Sequence, residues 1–313
     1  MRKRVAKNLA ADVFISLRPF QWLKNLVVFA AIVFSQELFI ASKFTPVLYT
    51  FIIFSATSSA MYLINDWVDR PRDRIHFLKR LRPISAGKIS PQLVLLLAAA
   101  LIALSLVASY FLSSYLFFII VTYLLVQLLY NFWLKNIIIL DVLVIATAFM
   151  LRIFAGSVVV VTPLSAWLIL TTMMLALFLG IGKRRSELTI MGGEKAIQHR
   201  TTLLAYPPQL LDGLVFMMAT ATLITYSLFT FNSPEFIHKE LFTAYLPRTL
   251  SSPKFLMITI PIVAYGIFRY LYLIFEKSEG GTPERVLVND KPLLISVTLW
   301  ISVVVFLLYF FAL

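Results

Sequence analysis

Runs of about 20 apolar residues, the length a helix needs to cross a bilayer, punctuate this chain from end to end. Nine can be drawn, near residues 24–41, 44–66, 91–112, 114–133, 140–161, 164–182, 210–231, 254–275 and 291–312. Inside hydrocarbon a backbone must satisfy its own hydrogen bonds, so spanning segments are helices or a closed barrel. The runs do not alternate apolar and polar residues as barrel strands do, which points to helices. The first run is the weakest, because Ser35, Gln36 and Glu37 interrupt it. Of the 313 residues, 60% are hydrophobic and only 14% charged, too few charges for a soluble fold to cover its apolar side chains. The expectation is an all-α integral membrane protein with about nine transmembrane helices. No internal repeat or low-complexity linker divides it, so residues 1–313 are expected to form a single transmembrane domain.

The formal charge is +13, and its placement gives the orientation. Lys and Arg crowd every second connection. They fall before the first run (Arg2, Lys3, Arg4, Lys7, Arg18, Lys24), after the second (Arg70 to Lys88), at Lys135, after the sixth (Lys183, Arg184, Arg185, Lys195, Arg200) and before the last (Arg269, Lys277, Arg285, Lys291). The opposite connections hold only Lys43, Lys239, Arg248 and Lys254, and Arg152 lies within a run. The positive-inside rule then places the N-terminus in the cytoplasm and the C-terminus outside, in agreement with an odd number of spans. The basic residues border spans and face anionic headgroups, so no nucleic acid is expected as a partner. A mostly polar stretch precedes the first run and more spans follow it, so no cleaved signal peptide is expected. Cys is absent, which removes disulfides and thiolate chemistry, and His76, His199 and His238 are too scattered for a histidine metal site. Walker, nucleophile-elbow and zincin motifs are also missing.

The chemistry-bearing residues collect at the cytoplasmic ends of the spans. In Asn65-Asp66-Trp67-Val68-Asp69-Arg70-Pro71-Arg72-Asp73, three aspartates are spaced i, i+3 and i+7. On one helix that spacing stacks like charges on one face, and a hard cation relieves their repulsion. Asp66, Asp69 and Asp73 are therefore candidate magnesium ligands for a diphosphate, with Asn65 beside them; Pro71 can break the helix and loosen the stacking. The loop after them carries His76, Lys79, Arg80 and Arg82, suited to phosphate oxygens and equally to topology. Gly182-Lys183-Arg184-Arg185-Ser186-Glu187 ends the sixth run. It reads as a second anion site with Glu187 to orient it, or as a simple Lys183–Glu187 salt bridge. Arg18-Pro19-Phe20-Gln21-Trp22-Leu23-Lys24-Asn25 opens the first run, with Trp22 as an interface anchor. Arg18 and Lys24 are topology residues or phosphate ligands. Asp141 and Arg152 lie eleven residues apart on one face of the fifth run. An intramembrane Arg152 is expected to serve a polar cavity. Tyr130 and the tract Asn131 to Lys135 end the fourth run at the same mouth.

Asn65-Asp66-x-x-Asp69-x-x-x-Asp73 after the second of nine spans resembles the UbiA superfamily of intramembrane prenyltransferases, whose first aspartate motif holds a magnesium-bound diphosphate. The likeness covers nearly the whole chain and implies helices around a central cavity open to the cytoplasmic side. Most members have a second aspartate-rich motif after the sixth span. Here Gly182–Glu187 departs from it, with one carboxylate and three bases. That departure is similar to the decaprenyl-phosphate phosphoribosyltransferase branch. The branch pattern is matched by Arg18 to Asn25, by Asp69 to Ile84 with Phe77 for a proline, by Gly182–Arg184, by Pro283–Leu287, and by Asp290–Leu294 with Lys291 for an arginine.

The resemblance implies that phosphoribosyl pyrophosphate is the electrophile and a polyprenyl phosphate the nucleophile, with Mg2+ as cofactor, at the cytoplasmic face of the cell's inner membrane. Asp66, Asp69, Asp73 and Glu187 are then the expected catalytic residues. Lys24, Asn65, Lys79, Arg82, Tyr130, Asp141, Arg152, Lys183 and Arg184 are the expected substrate-binding residues, with Glu187 and Asp141 orienting bases or ribose hydroxyls. One rival is a prenyltransferase that moves a polyprenyl chain from its diphosphate to an aromatic or glyceryl-phosphate acceptor. Another is a transporter or channel, which predicts charges distributed through the spans.

Overall fold

The computed structural model describes residues 9–75, 79–195, 206–232, 254–276 and 283–310. His76, Phe77, Arg200, Lys277 and the other two histidines lie outside these residues, as do Arg2, Lys3, Arg4, Lys7, Lys239 and Arg248.

Among the described residues, twelve α-helices follow in chain order: α1 (Leu9–Ser16), α2 (Ala30–Phe34), α3 (Ala41–Val68), α4 (Arg70–Asp73), α5 (Pro91–Leu112), α6 (Ser114–Phe132), α7 (Leu140–Val160), α8 (Ala166–Lys195), α9 (Pro208–Phe231), α10 (Ile260–Phe275), α11 (Pro283–Asn289) and α12 (Lys291–Val305). Eight helical stretches among the described residues are long and apolar enough to cross a membrane. The weak first run is a bent pair, Leu9–Ser16 and Pro19–Phe34, kinked by 42°, and becomes the ninth if counted as one span. The chain therefore enters this first element earlier than residue 24, the start expected from hydropathy.

The kink has a local cause. A residue before proline is disfavoured in the α region, and Arg18 adopts φ 55, ψ 63 ahead of Pro19. Pro19–Phe29 follows as a 3-10 helix that continues into α2. This slim segment is gripped from two sides. On α3, Ser55 and Ser58 accept from the Asn25 amide at 3.1 and 3.4 Å, and Ser59 accepts from the Trp22 indole at 2.9 Å. On α7, Gly156 lies so close that an added Cβ would stand 1.8 Å from the Val28 carbonyl oxygen. Small residues let helices approach in lipid, where packing and hydrogen bonds replace the hydrophobic drive.

Two buried clusters carry most of the interior. One joins the 3-10 segment to α3, α6 and α7 through Val28, Phe54, Ile120 and Ala155. The other joins α7, α8, α9 and α10 through Val142, Phe178, Val215 and Leu273. Large apolar side chains such as Leu96, Phe111, Phe118 and Phe268 point outward, as lipid-facing surfaces require.

Candidate active site

The C-terminal end of α3, the start of α7, the second half of α8 and the short helix α11 bring the charged motifs to one end of the bundle. Trp22 belongs to the packing just described, bonded to Ser59.

α3 ends at Val68, Asp69 serves as the joint, and Pro71 occupies the first turn of α4, where its missing N–H costs nothing. The Asp73 amide still donates to the Asp69 carbonyl at 2.8 Å, so the turn stays nearly helical. Asp66 and Asp73 are 2% and 4% exposed. Both reach one nitrogen: Arg82 Nη1 donates to Asp66 Oδ1 and to Asp73 Oδ2, each at 2.8 Å. Arg18 adds a second base to Asp66 at 2.5 Å. Asp69 turns elsewhere and pairs with Lys135 at 2.7 Å. The expected stack of three carboxylates on one face is thus divided into two and one. The reason is Lys135, which emerges from the 3-10 turn after α6 and draws Asp69 away, while Pro71 leaves the turn nearly helical. Asn65 is half-buried beside Asp66. Burial pushes the Asp73 carboxyl above its ordinary value, against the pull of Arg82 and Lys79.

Among the described residues no three His, Cys, Asp or Glu side chains are grouped to hold a metal ion together. The donor set nevertheless fits magnesium, which often takes only one or two carboxylates and fills its other positions with water and substrate phosphate. Asp66 Oδ1 and Asp73 Oδ2 already converge on a single cationic point, occupied by the Arg82 guanidinium.

The second motif is a buried network. Arg184, 2% exposed, donates to Asp141 Oδ2 at 2.6 Å, to Glu187 Oε2 at 2.7 Å and to the Tyr130 hydroxyl at 3.2 Å. Glu187 lies 2.7 Å from Arg184 and 4.0 Å from Lys183, so the Lys183–Glu187 bridge is the lesser contact. The Tyr206 hydroxyl donates to Asp141 Oδ1 at 2.8 Å and accepts from the Ile139 amide at 2.7 Å. Burial and that bond to Asp141 push Tyr206 up to about 12. Ile139 has φ 71, a strained conformation for a β-branched residue, of a kind that costs about 1–3 kcal/mol and clusters at functional sites.

Asp141 does not pair with Arg152, although both are buried on α7. Arg152 is spent inside the bundle. It donates to Asn25 Oδ1 at 2.7 Å, to the Ala148 carbonyl at 2.6 Å and to the Tyr123 hydroxyl at 2.9 Å. The rings of Phe54, Tyr123 and Phe149 surround its guanidinium. It locks the 3-10 segment to α6 and α7, which accounts for an arginine at that depth.

A third group was only half legible. Lys24 Nζ donates to Gln21 Oε1 at 2.7 Å and lies 3.2 Å from Glu284 Oε2, while the Gln21 amide donates to Glu284 Oε1. Burial raises the Glu284 carboxyl, but Lys24 and then Lys183 outweigh it and hold it below the ordinary value. Spacing along the chain gives neither Glu284 nor Gln21 a role, although both sit in stretches that match the branch pattern. Asp290, in the neighbouring matched stretch, supports the fold: it caps α12 at the Leu293 amide and holds Arg269 with two hydrogen bonds.

The model of the UbiA prenyltransferase family matches residues 25–289. The chain belongs to the UbiA prenyltransferase family. Over 312 residues it is 31% identical to decaprenyl-phosphate phosphoribosyltransferase of Corynebacterium glutamicum, covering 98% of this chain and 90% of that one. Its identity to the Mycolicibacterium smegmatis protein of the same name is 32% over 230 residues, 72% of each chain. The fold superposes on a UbiA homolog from Archaeoglobus fulgidus bound to DMAPP and Mg2+ with a TM-score of 0.68, at 18% identity, over 94% of this chain and 97% of that one.

Proposed function

We propose that this protein transfers 5-phosphoribose from phosphoribosyl pyrophosphate to a polyprenyl phosphate, decaprenyl phosphate or a close relative, and releases pyrophosphate. The carrying observation is the Gly182–Glu187 stretch, in which Lys183 stands beside an Arg184 held in place by Asp141 and Glu187. A donor with a 5-phosphate besides its pyrophosphate needs extra cations, whereas an aromatic acceptor does not. The phosphoribosyltransferase names of the relatives agree with this reading.

Asp66 and Asp73 would hold magnesium, with Asn65 and Asp69 adjacent; when bound, it neutralises charge on the pyrophosphate leaving group. Arg82 and Arg18, already aimed at these carboxylates, are placed to turn toward phosphate oxygens. Lys24, Lys79 and Lys183 would hold the remaining phosphates, with Arg184 fixed behind Lys183 by Asp141 and Glu187. An oxygen of the lipid phosphate attacks the anomeric carbon while the bond to pyrophosphate breaks, the electron pair leaving with the pyrophosphate. The attacking oxygen is already anionic, so no general base is required. Asp141 and Glu187 would orient Arg184, which in turn donates to the Tyr130 hydroxyl.

The whole chain would work as one domain in the cytoplasmic membrane, its charged end on the cytoplasmic side, where Lys and Arg concentrate. An apolar cavity of about 460 Å³ between α3 and α5, lined by Tyr49, Ile52, Ala56, Leu104 and Phe111, would take part of the lipid tail. It lies roughly 20 Å along α3 from Asp66 at 1.5 Å per residue.

The test uses purified protein in detergent with labelled phosphoribosyl pyrophosphate, magnesium and a polyprenyl phosphate. Label entering the organic phase, and lost on chelating magnesium, is the expected result. Absence of label with several chain lengths, alongside consumption of a prenyl diphosphate with an aromatic acceptor, would overturn the reading in favour of prenyl transfer.

A further inference from the structure

Glu284 poses a problem for a site that must attract polyanions. Its carboxylate is 5% exposed and comes from α11, more than 250 residues along the chain from the N-terminal motif it touches. Burying a carboxylate is costly unless it is paired and hydrogen-bonded. A carboxylate near bound phosphates also repels them. Such a group is useful only if it does something for a neighbouring cation that outweighs both effects.

The contacts show which cation. Glu284 Oε1 accepts from the Gln21 amide. The Gln21 carbonyl oxygen accepts from Lys24 Nζ at 2.7 Å. Lys24 Nζ returns to within 3.2 Å of Glu284 Oε2. The three side chains form a closed ring that holds one ammonium by two acceptors. Glu284 Oε2 is buried, so its ion pair with Lys24 acts with little screening by water. A lysine on a flexible four-carbon stem otherwise samples many rotamers, and each phosphate contact it makes costs that freedom. The Lys24 and Lys183 charges interact; Glu187 faces Lys183 at 4.0 Å and Glu284 faces Lys24 at 3.2 Å, so each ammonium has a carboxylate of its own that lowers the cost of holding both at this end of the bundle.

We infer that Glu284 is a positioning residue: through Gln21 and by its own charge it holds Lys24 beside Lys183, ready for a phosphate group of the substrate. It makes α11, with the Pro283–Glu284 start of its matched stretch, a closing element of the site. The inference rests on the site holding a phosphorylated substrate, as proposed above, and does not depend on which carbon that phosphate leaves.

The test is a double-mutant cycle on binding. Affinities of phosphoribosyl pyrophosphate and of inorganic pyrophosphate, each with magnesium, are measured by calorimetry for the wild type, Lys24→Ala, Glu284→Gln and the double variant. Glu284→Gln is isosteric and keeps the Gln21 contact, and its melting temperature in detergent reports folding. Lys24→Ala should weaken phosphoribosyl pyrophosphate roughly tenfold or more, the scale of one charge-assisted hydrogen bond. Glu284→Gln should weaken it in the same direction by less, and the double variant should bind no worse than Lys24→Ala. A purely structural role would instead lower the melting temperature and add its loss to that of Lys24→Ala. Additive losses, an unchanged affinity in Glu284→Gln or an unchanged affinity in Lys24→Ala each overturn the inference. Wild-type protein that binds these anions without transferring ribose would sink the proposed function and leave Glu284 to be judged by the cycle; binding of neither anion would sink both.

Discussion

Arg184 offers the sharpest test of how the charged end is built. Its side chain is 2% exposed, and Asp141, which it meets at 2.6 Å, is 1% exposed. Glu187, its other partner, is 20% exposed and keeps access to water and to Lys183. Replacing Arg184 by Met therefore strands one charge above all, the Asp141 carboxylate, with only the Tyr206 hydroxyl left to it. Breaking a buried pair by removing one partner costs about 3–5 kcal/mol. Asp141→Asn removes that charge while keeping an acceptor for Tyr206, so the double variant Asp141→Asn/Arg184→Met should be clearly more stable than Arg184→Met alone. The assay is equilibrium unfolding in mixed micelles of rising SDS fraction, followed by the fluorescence of the 5 Trp residues. Stability of Arg184→Met within about 0.5 kcal/mol of wild type, the range of ordinary surface changes, would refute the reasoning. So would a double variant that is the sum of its parts.

Other expectations follow from particular contacts. Asp66→Ala or Asp73→Ala should abolish turnover in the label-transfer assay while the protein still inserts and purifies; full activity in both variants would remove the aspartates from the mechanism. Gly156→Ala should lower the melting temperature, because its Cβ would meet the Val28 carbonyl at 1.8 Å and force α7 from the 3-10 segment, an overpacking cost of about 1–3 kcal/mol. Glu37 has its pKa lowered, first by the hydrogen bond from Thr162 and further by Ser35 and Lys43, against a smaller opposing effect of burial. Its contribution, on the order of 0.5–1 kcal/mol for such a bond, is present above the unfolded carboxyl value of 4.5 and lost as pH falls through the lower folded value. Glu37→Gln should flatten that acid limb in pH-dependent unfolding, and an unchanged limb would show that the contact does not stabilise the fold.

Much of this protein follows from local pattern. Apolar run length and the absence of alternation specify membrane helices because hydrocarbon leaves the backbone no other partners. The placement of Lys and Arg gives the expected orientation, and like charges at i, i+3 and i+7 mark Asp66, Asp69 and Asp73 as a cation-seeking group, because helix periodicity is a local property. What a base does once the chain folds is not local. Lys24, Arg152 and Arg184 all read as cations available to a substrate. Only the packing shows that Arg152 is consumed by Asn25, Tyr123 and a ring of aromatic side chains, and that Arg184 is anchored on Asp141. Likewise, Pro71 shows in the sequence as a possible break, but the diversion of Asp69 to Lys135 needed the turn after α6 to arrive beside it. Glu284 is the extreme case. Its meaning lies in Gln21 and Lys24 at the far end of the chain, and a carboxylate's partner in space is set by helix packing, which residue spacing along one helix cannot report.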